Sequence, residues 1–549
     1  MKNILPILFL FLLINTSSAQ RTVGIFQNES DAFDGYTLIA PSGTRMVWLI
    51  NNCGEVVNEW LTTERPGEVT YLLPDGRLLR TIRVVGDFNG GGLGGQLELY
   101  SWEGDLIWSY KYANSARHQH HDLELLPNGN ILVLAWESRT RTEAVNAGRV
   151  PGMTGSRGVW PEQVVEIQPV GSDAINIVWE WHLWDHLVQD YDDTKANYGV
   201  VADHPELVDV NYNTAGGGAD WIHANSVDYN PELDQIIINS RNFGEFWVID
   251  HSTTTEEAAG HSGGNSGKGG DILYRWGNPQ VYGRGAVFDQ KLFGQHDAHW
   301  IEKGLPSEGQ IMIFNNGLGR PEGAFSTIEV IQPPMDGQGN YIIEAGQAFG
   351  PDTVSWNYTD PQFVPFNAPR VSGAQRQPNG NTLICEGTKG HVFEINTEKE
   401  IVWDFIVPVF NGNVVAQGSS ITPSSLFRAY RYAPDYPAFR GRDLTAGPVI
   451  ELDPLPSECM LFTSVTTAQR LNDVYIIENP VRDYLKVRNA TGRQLEWQLY
   501  DLSGRLLKSQ RSADQQLEWS LGNWPAGLYV LRASTLDQQQ FSIHKFVKQ

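Results

Sequence analysis

Three short phrases concentrate the reactive side chains of this chain: HQHHD beginning at His118, DWIHAN around His223, and FGQHD around His296. A fourth, INSRNF, carries Arg241. A neutral imidazole can attack an electrophile, and a protonated neighbour can offset charge that builds on the transferred group. A guanidinium presents a planar fork of donors suited to sulfate, phosphate or carboxylate oxygens. Brought together, these residues describe a site that binds an anionic group and moves it. They are far apart in sequence, so the fold has to assemble them.

A repeat supplies that fold. Six phrases close on tryptophan, at Trp60, Trp108, Trp179, Trp276, Trp356 and Trp403. Strong turn formers precede them, PDG at Pro74, PNGN at Pro127, NPELD at Asn230, PSEG at Pro306 and PNGN at Pro378. Between turn and tryptophan lie apolar stretches such as LELYSW, EFWVID and TIEVIQ. Four short antiparallel strands per repeat, arranged as a closed ring, predict an all-β, six-bladed β-propeller, with the tryptophans packing the blades. The first strand of each blade lines the central channel, which places His121, His223 and His296 at one mouth and Arg241 beside them. The repeat starting at Tyr36 lacks its first strands, so strands from both ends of the domain should close the ring. The insertion from His182 to Asn213 carries HLWDHLVQDY at helical spacing and is expected to cap one face. The run GHSGGNSGKGG from Gly260 lacks the GK[ST] ending of a phosphate cradle and reads as a flexible loop.

Composition narrows the partners. A net charge of -24 argues against nucleic acid or an anionic membrane surface. Residues 1–19 read as a secretory signal, with Lys2, a short apolar stretch, and small residues before Gln20. No later stretch approaches the ~18 apolar residues a membrane span needs. Cys53, Cys385 and Cys459 allow at most one disulfide, and spacing does not say which. From about Val474 the chain alternates apolar residues with frequent turns, as in a small β-sandwich. Asn479-Pro480, LYDLSGRLL, PAGLYVL and the basic final strand, in that order, resemble the C-terminal sorting domain of the type IX secretion system, assigned to residues 473–549. That resemblance implies passage across the outer membrane and a mature protein secreted or attached to the cell surface, with the type IX machinery as partner.

The region 20–460 resembles the bacterial arylsulfate sulfotransferases. HHD with LPNGN, HANSVDYNPELDQIIINSR, WGNP, and FGQHDAHW with IMIFNNGLGRP bear the likeness; the His223-to-Arg241 spacing and the Gln295-His296 pair are its sharpest points. The resemblance implies sulfuryl transfer from a phenolic sulfate ester to an acceptor phenol. It implies ping-pong kinetics through a sulfohistidine, with no cofactor and no nucleotide sulfate donor. His296 matches the transiently sulfated residue, and His223 and Arg241 match residues gripping the sulfuryl oxygens. His118, His120 and His121 compete for one further role, assigned to His121 with His120 as alternate. His120 and Asn225 are expected at the substrate. Asp297 could orient an imidazole or cap a turn. Alternating histidines on a strand also offer metal ligands, but no second carboxylate–histidine set stands at ligand spacing, so no metal is assigned. Two other classes fit the same fold: a secreted propeller that binds an anionic or aromatic ligand without transforming it, and an adhesion scaffold.

Overall fold

The computed structural model describes residues 21–549 apart from 213–217, 361–365, 421, 457–458, 462–468, 471–473, 502–504 and 537–539. The signal segment 1–19 lies outside the described residues. The chain forms two compact units, Met1–Phe462 and Thr463–Gln549.

The first unit is all-β apart from short helical turns such as Arg141–Asn146 and Thr255–Ala258. Six antiparallel sheets of four or five strands dominate it. Their inner edges are the strands Pro66–Leu72, Arg117–Leu125, Ala224–Asn230, His296–Trp300, Gly373–Arg376 and Tyr430–Tyr432. The first five pack against one another in that order. Tyr430–Tyr432 bridges the remaining gap: Arg431 N donates to Gln375 Oε1, and Tyr432 Oη accepts from Leu72 N. That late strand supplies the inner edge of the sheet that begins at Tyr36, and Gly24–Asn28 adds an outer strand to the Gly373–Ile406 sheet. Strands from the beginning and the end of this unit thus share sheets, as the sequence led one to expect.

The repeated tryptophans all lie on outermost or next-to-outermost strands, and their role is physical as well as periodic. Trp60 donates to Ser101 O, Trp108 to Ala174 O, Trp179 to Thr253 Oγ1, Trp276 to Pro351 O and Trp403 to Asn52 O. Each indole N–H thus reaches a loop of the following sheet, and Trp403 returns to the first. A buried indole with its donor satisfied secures each of these five junctions by apolar burial plus a hydrogen bond worth about 1 kcal/mol, while Trp356, only partly buried, packs beneath Arg376 and Lys399. Cys53 and Cys459 form a disulfide, and Cys385 is buried and free.

Two local expectations change. The HLWDHLVQDY segment forms only a single 3₁₀ turn, Leu183–Asp185, then a two-residue strand, Leu187–Val188, pairing in parallel with Val208–Asp209. One turn of apolar spacing is too little to hold a helix when Leu183, Leu187 and His186 are each drawn into tertiary packing. The glycine-rich loop is folded on itself, with Gly270 N donating to Gly260 O and Gly269 N to Gly263 O.

The second unit holds a five-stranded and a three-stranded sheet. Leu495–Tyr500 and Leu506–Ser512 form the hairpin around DLSG, and Gly527–Thr535 pairs with Gln540–Lys548. Trp497, Leu499, Leu531 and Phe546 fill its core.

Candidate active site

Three inner strands break their regular pairing at or just beyond a histidine. Register shifts fall between Val133 and Ala135 opposite the His121 strand, between Ala224 and Val227, and between His296 and His299. His121, His223 and Asp297 have positive φ angles of 51°, 54° and 57°. Bulges and left-handed backbone at non-glycine residues cost free energy and re-aim side chains, which is why they gather at functional sites. Here they turn His121, His223 and His296 into one cavity of about 740 Å³, which Arg241 also lines. The His121 and His223 rings meet edge to face with centroids 4.8 Å apart.

Each imidazole is held by a different partner. His296 directs Nδ1 at Asn316 Oδ1, 2.7 Å away, and at Gly294 O, 3.1 Å away. Both are acceptors, so Nδ1 carries the proton and Nε2 keeps its lone pair, where it accepts from Val371 N at 3.2 Å. Burial, and then the Arg241 guanidinium, hold this imidazole well below its ordinary pKa, so it is neutral at physiological pH. His223 Nδ1 lies 2.5 Å from Asp220 Oδ2. His121 Nδ1 lies 2.8 Å from His120 Nδ1, and His120 Nε2 lies 2.8 Å from Glu162 Oε2. Glu162 Oε1 accepts from Ala224 N. The result is a buried wire of one carboxyl and two imidazoles that ends at the cavity. Gly92 allows the wire to reach it, because a Cβ there would stand 2.0 Å from His121 Nε2.

The local charge opposes the global one. Arg65, Arg83, Arg241 and Arg370 line the mouth with the three histidines, and among its lining residues Glu68 is the single carboxylate. Burial raises Glu68 to about 7, which blunts its charge. Burial and, to a lesser degree, the neighbouring Arg370 lower the Arg241 pKa, against the pull of Asp220. Two guanidiniums facing one hollow favour an anion between them.

Outside the lining of this cavity, the residues that follow His121 and His296 form an ionic hub. Arg428 Nη1 is 2.8 Å from Asp122 Oδ2, and Nε is 3.0 Å from Asp297 Oδ1. Asp122 also accepts from Tyr71 Oη and Val227 N, Asp297 accepts from Ala374 N, and Arg428 donates to Tyr430 Oη. One guanidinium is thereby connected to all six inner strands or their immediate extensions. Asp122 and Asp297 directly follow His121 and His296, so the hub fixes the backbone from which both imidazoles project. Asp297 thus serves the hub through its carboxylate, while its carbonyl oxygen lies 2.9 Å from His299 Nδ1 rather than at an imidazole of the cavity.

Four residues singled out in the sequence, His121, His223, Arg241 and His296, meet in the cavity. The other two stand behind it. His120 stacks on Trp136, with centroids 4.0 Å apart, and bonds to Glu162 and His121. Asn225 is fully buried, donating to Gln295 O and accepting from Asn239 Nδ2. Sequence reasoning missed Arg370, Asn316, Asp220, Glu162 and Arg428. Asn316, in the phrase IFNNGLGRP, and Asp220, three residues before His223, were the legible ones; the rest depend on pairing across distant strands.

Residues 92–403, more than half of the chain, match the family described as Arylsulfotransferase (ASST), and the chain belongs to that family. It is an aryl sulfotransferase by class. Residues 476–549 match the secretion system C-terminal sorting domain, which addresses the chain for export across the outer membrane. No curated protein matches the chain. Similar solved structures include a protein of unknown function from Bacteroides caccae, 11% identical, covering 68% of this chain and 93% of that one with a TM-score of 0.37. Virginiamycin B lyase from Staphylococcus aureus is 10% identical, covering 71% and 90%, TM-score 0.31. The periplasmic gluconolactonase of Pseudomonas aeruginosa is 11% identical, covering 72% and 99%, TM-score 0.34. Likenesses this distant carry no information on the reaction. No helix among the described residues is long and apolar enough to cross a membrane.

Proposed function

We propose that residues 20–460 form a six-bladed β-propeller that moves a sulfuryl group from a phenolic sulfate ester to an acceptor phenol in two steps, through a sulfohistidine at His296 and without a nucleotide sulfate donor. Residues 1–19 act as signal peptide and 473–549 as the type IX sorting address, so that the enzyme works outside the outer membrane. The observation that carries the reading is the state of His296: its Nδ1 proton is committed to Asn316 and Gly294, which leaves Nε2 unprotonated at a cavity ringed by arginines, held there by a 3.2 Å hydrogen bond from Val371 N that an incoming sulfuryl group would displace.

In the first step His296 Nε2 attacks sulfur, an N–S bond forms, and the S–O bond to the donor phenol breaks. Arg241, His223 and Arg370 offset the charge on the sulfuryl oxygens. The leaving phenolate takes the proton from His121 Nε2. His121 Nδ1 is refilled from His120 Nδ1, and His120 Nε2 from Glu162. Burial, which pushes Glu162 well above the usual carboxylate range, favours the protonated starting state of this wire. In the second step the acceptor phenol attacks sulfur, the N–S bond breaks, and the phenolic proton returns along the same path to Glu162. The wire ends each cycle as it began, and no external acid or base is consumed.

The test is mass spectrometry of protein treated with 4-nitrophenyl sulfate in the absence of acceptor. A sulfuryl adduct on the peptide containing His296, discharged by added phenol, is the expected result. Phenol-independent hydrolysis with no adduct would mean a sulfatase, and no colour release would mean a binding module.

A further inference from the structure

The structure assigns a divalent transition-metal site to His186, His261 and Asp271, outside the catalytic cavity. Their ligand atoms lie within 4.8 Å of one another, and among the described residues this is the constellation of histidine and carboxylate donors that meets such spacing. The argument begins with His186, which is completely buried. Its Nε2 lies 2.8 Å from the carbonyl oxygen of Ala258. A carbonyl only accepts, so Nε2 bears hydrogen and the neutral ring turns the Nδ1 lone pair outward. That lone pair faces Asp271 Oδ1 at 2.8 Å, and His261 Nδ1 approaches the same oxygen, also at 2.8 Å. Two imidazole nitrogens and a carboxylate oxygen therefore converge on one point, which calls for a cation.

A proton on His186 together with a hydrogen on His261 Nδ1 would satisfy both contacts. A metal ion would bind all three atoms at once, and the surroundings fit it. The hydrogen bond from His186 Nε2 to Ala258 fixes ring and tautomer in the manner of residues that stand behind metal ligands. Trp181 stacks on His186 with the planes 7° apart, giving an apolar wall. His261 is largely exposed, so an ion has a way in and a fourth ligand position stays open to water. Gly270 lets the loop close, since a Cβ there would stand 2.0 Å from Ala258 O and 2.7 Å from His186 Nε2. Two nitrogens and one oxygen suit zinc, with bonds of about 2.0–2.1 Å. Tetrahedral bonds of that length put donors roughly 3.3 Å apart, so the two nitrogen–oxygen distances of 2.8 Å must lengthen by about half an ångström, which the exposed His261 can supply on its side. The ion would tie the 183–209 insertion to the glycine-rich loop that carries His261 and Asp271, and so act as a structural staple.

The experiment uses the full exported chain, stripped with a chelator and titrated with zinc chloride, alongside His261→Ala and His296→Asn. His261 is exposed, so its removal leaves the fold intact; His296→Asn removes one histidine of the cavity, so zinc held there would bind differently to this variant and to the parent. The expected result is one zinc per chain with a raised Tm in the parent and in His296→Asn. In His261→Ala the affinity should drop by more than the roughly 10–100-fold lost when a residue behind a ligand is removed. Equal zinc binding by the parent and His261→Ala overturns the site. So does a parent that binds no zinc while nitrogen-detected NMR shows His186 as a buried imidazolium.

Discussion

His296 at the cavity and His391 on the third strand of its sheet are equally well bonded, yet their partners drive them in opposite directions. His296 faces an amide, a carbonyl and, nearby, the Arg241 guanidinium, and it is held neutral. His391 sits between Glu386 Oε2 at 3.1 Å and Asp404 Oδ1 at 2.8 Å. There burial works against the charged form, but the hydrogen bonds to Asp404 and Glu386 prevail and lift the pKa to about 9. His251, between Glu166 and Asp234, follows the same pattern. Residue type does not separate a neutral imidazole from a charged one. The charge of what it touches does.

The largest break in that contrast is His296→Asn, which keeps a polar side chain and removes the attacking nitrogen. Sulfuryl transfer from 4-nitrophenyl sulfate to phenol should fall by at least about 10⁴-fold, with circular dichroism unchanged. Turnover near the parental level would end the assignment of His296. Next is Arg241→Lys, which keeps the charge and loses the planar fork; a decrease of about 10²-fold in kcat/KM is expected, with steady-state kinetics as the measure. His120→Asn interrupts the wire without touching substrate. Its expected loss is smaller, roughly 10-fold, and should grow with the pKa of the leaving phenol, because 4-nitrophenolate needs little help from an acid. A loss independent of the leaving group would mean that His120 serves packing alone.

The smallest effect concerns the charged histidines. The folded pKa of His391, about 9, lies above the unfolded value near 6.5. Its contribution to stability is complete below pH 6.5 and disappears as the pH rises through 9, on the order of 1–3 kcal/mol. His391→Gln should therefore flatten the dependence of Tm on pH in that window and leave transfer untouched. A parental slope surviving in the variant would show that other groups set it.

What the sequence made legible follows the same division. Trp60 through Trp403, with the PDG and PNGN turns, mark strand ends locally, and local signals sufficed for an all-β chain of repeating sheets. His121, His223, Arg241 and His296 could be picked out because each stands within a recognisable phrase, the last three at strand ends and His121 in the middle of its strand. Glu162 could not, since it looks like any acidic residue of a strand until His120 is found opposite it. Arg428 is equally anonymous in SLFRAY, although it joins Asp122 to Asp297. The HLWDHLVQDY segment misled for the converse reason: its helical spacing is real over one turn, but His186 is bound to Ala258 and Asp271, far along the chain.

Because Cys459 is bonded to Cys53, a protease that trims the chain anywhere beyond residue 459 leaves a covalently closed ring behind. A nick between residues 53 and 459 leaves two fragments that travel together until a reductant parts them. Shedding the export address and keeping the catalyst intact are thus chemically separate events, and a gel run without thiol would display the difference.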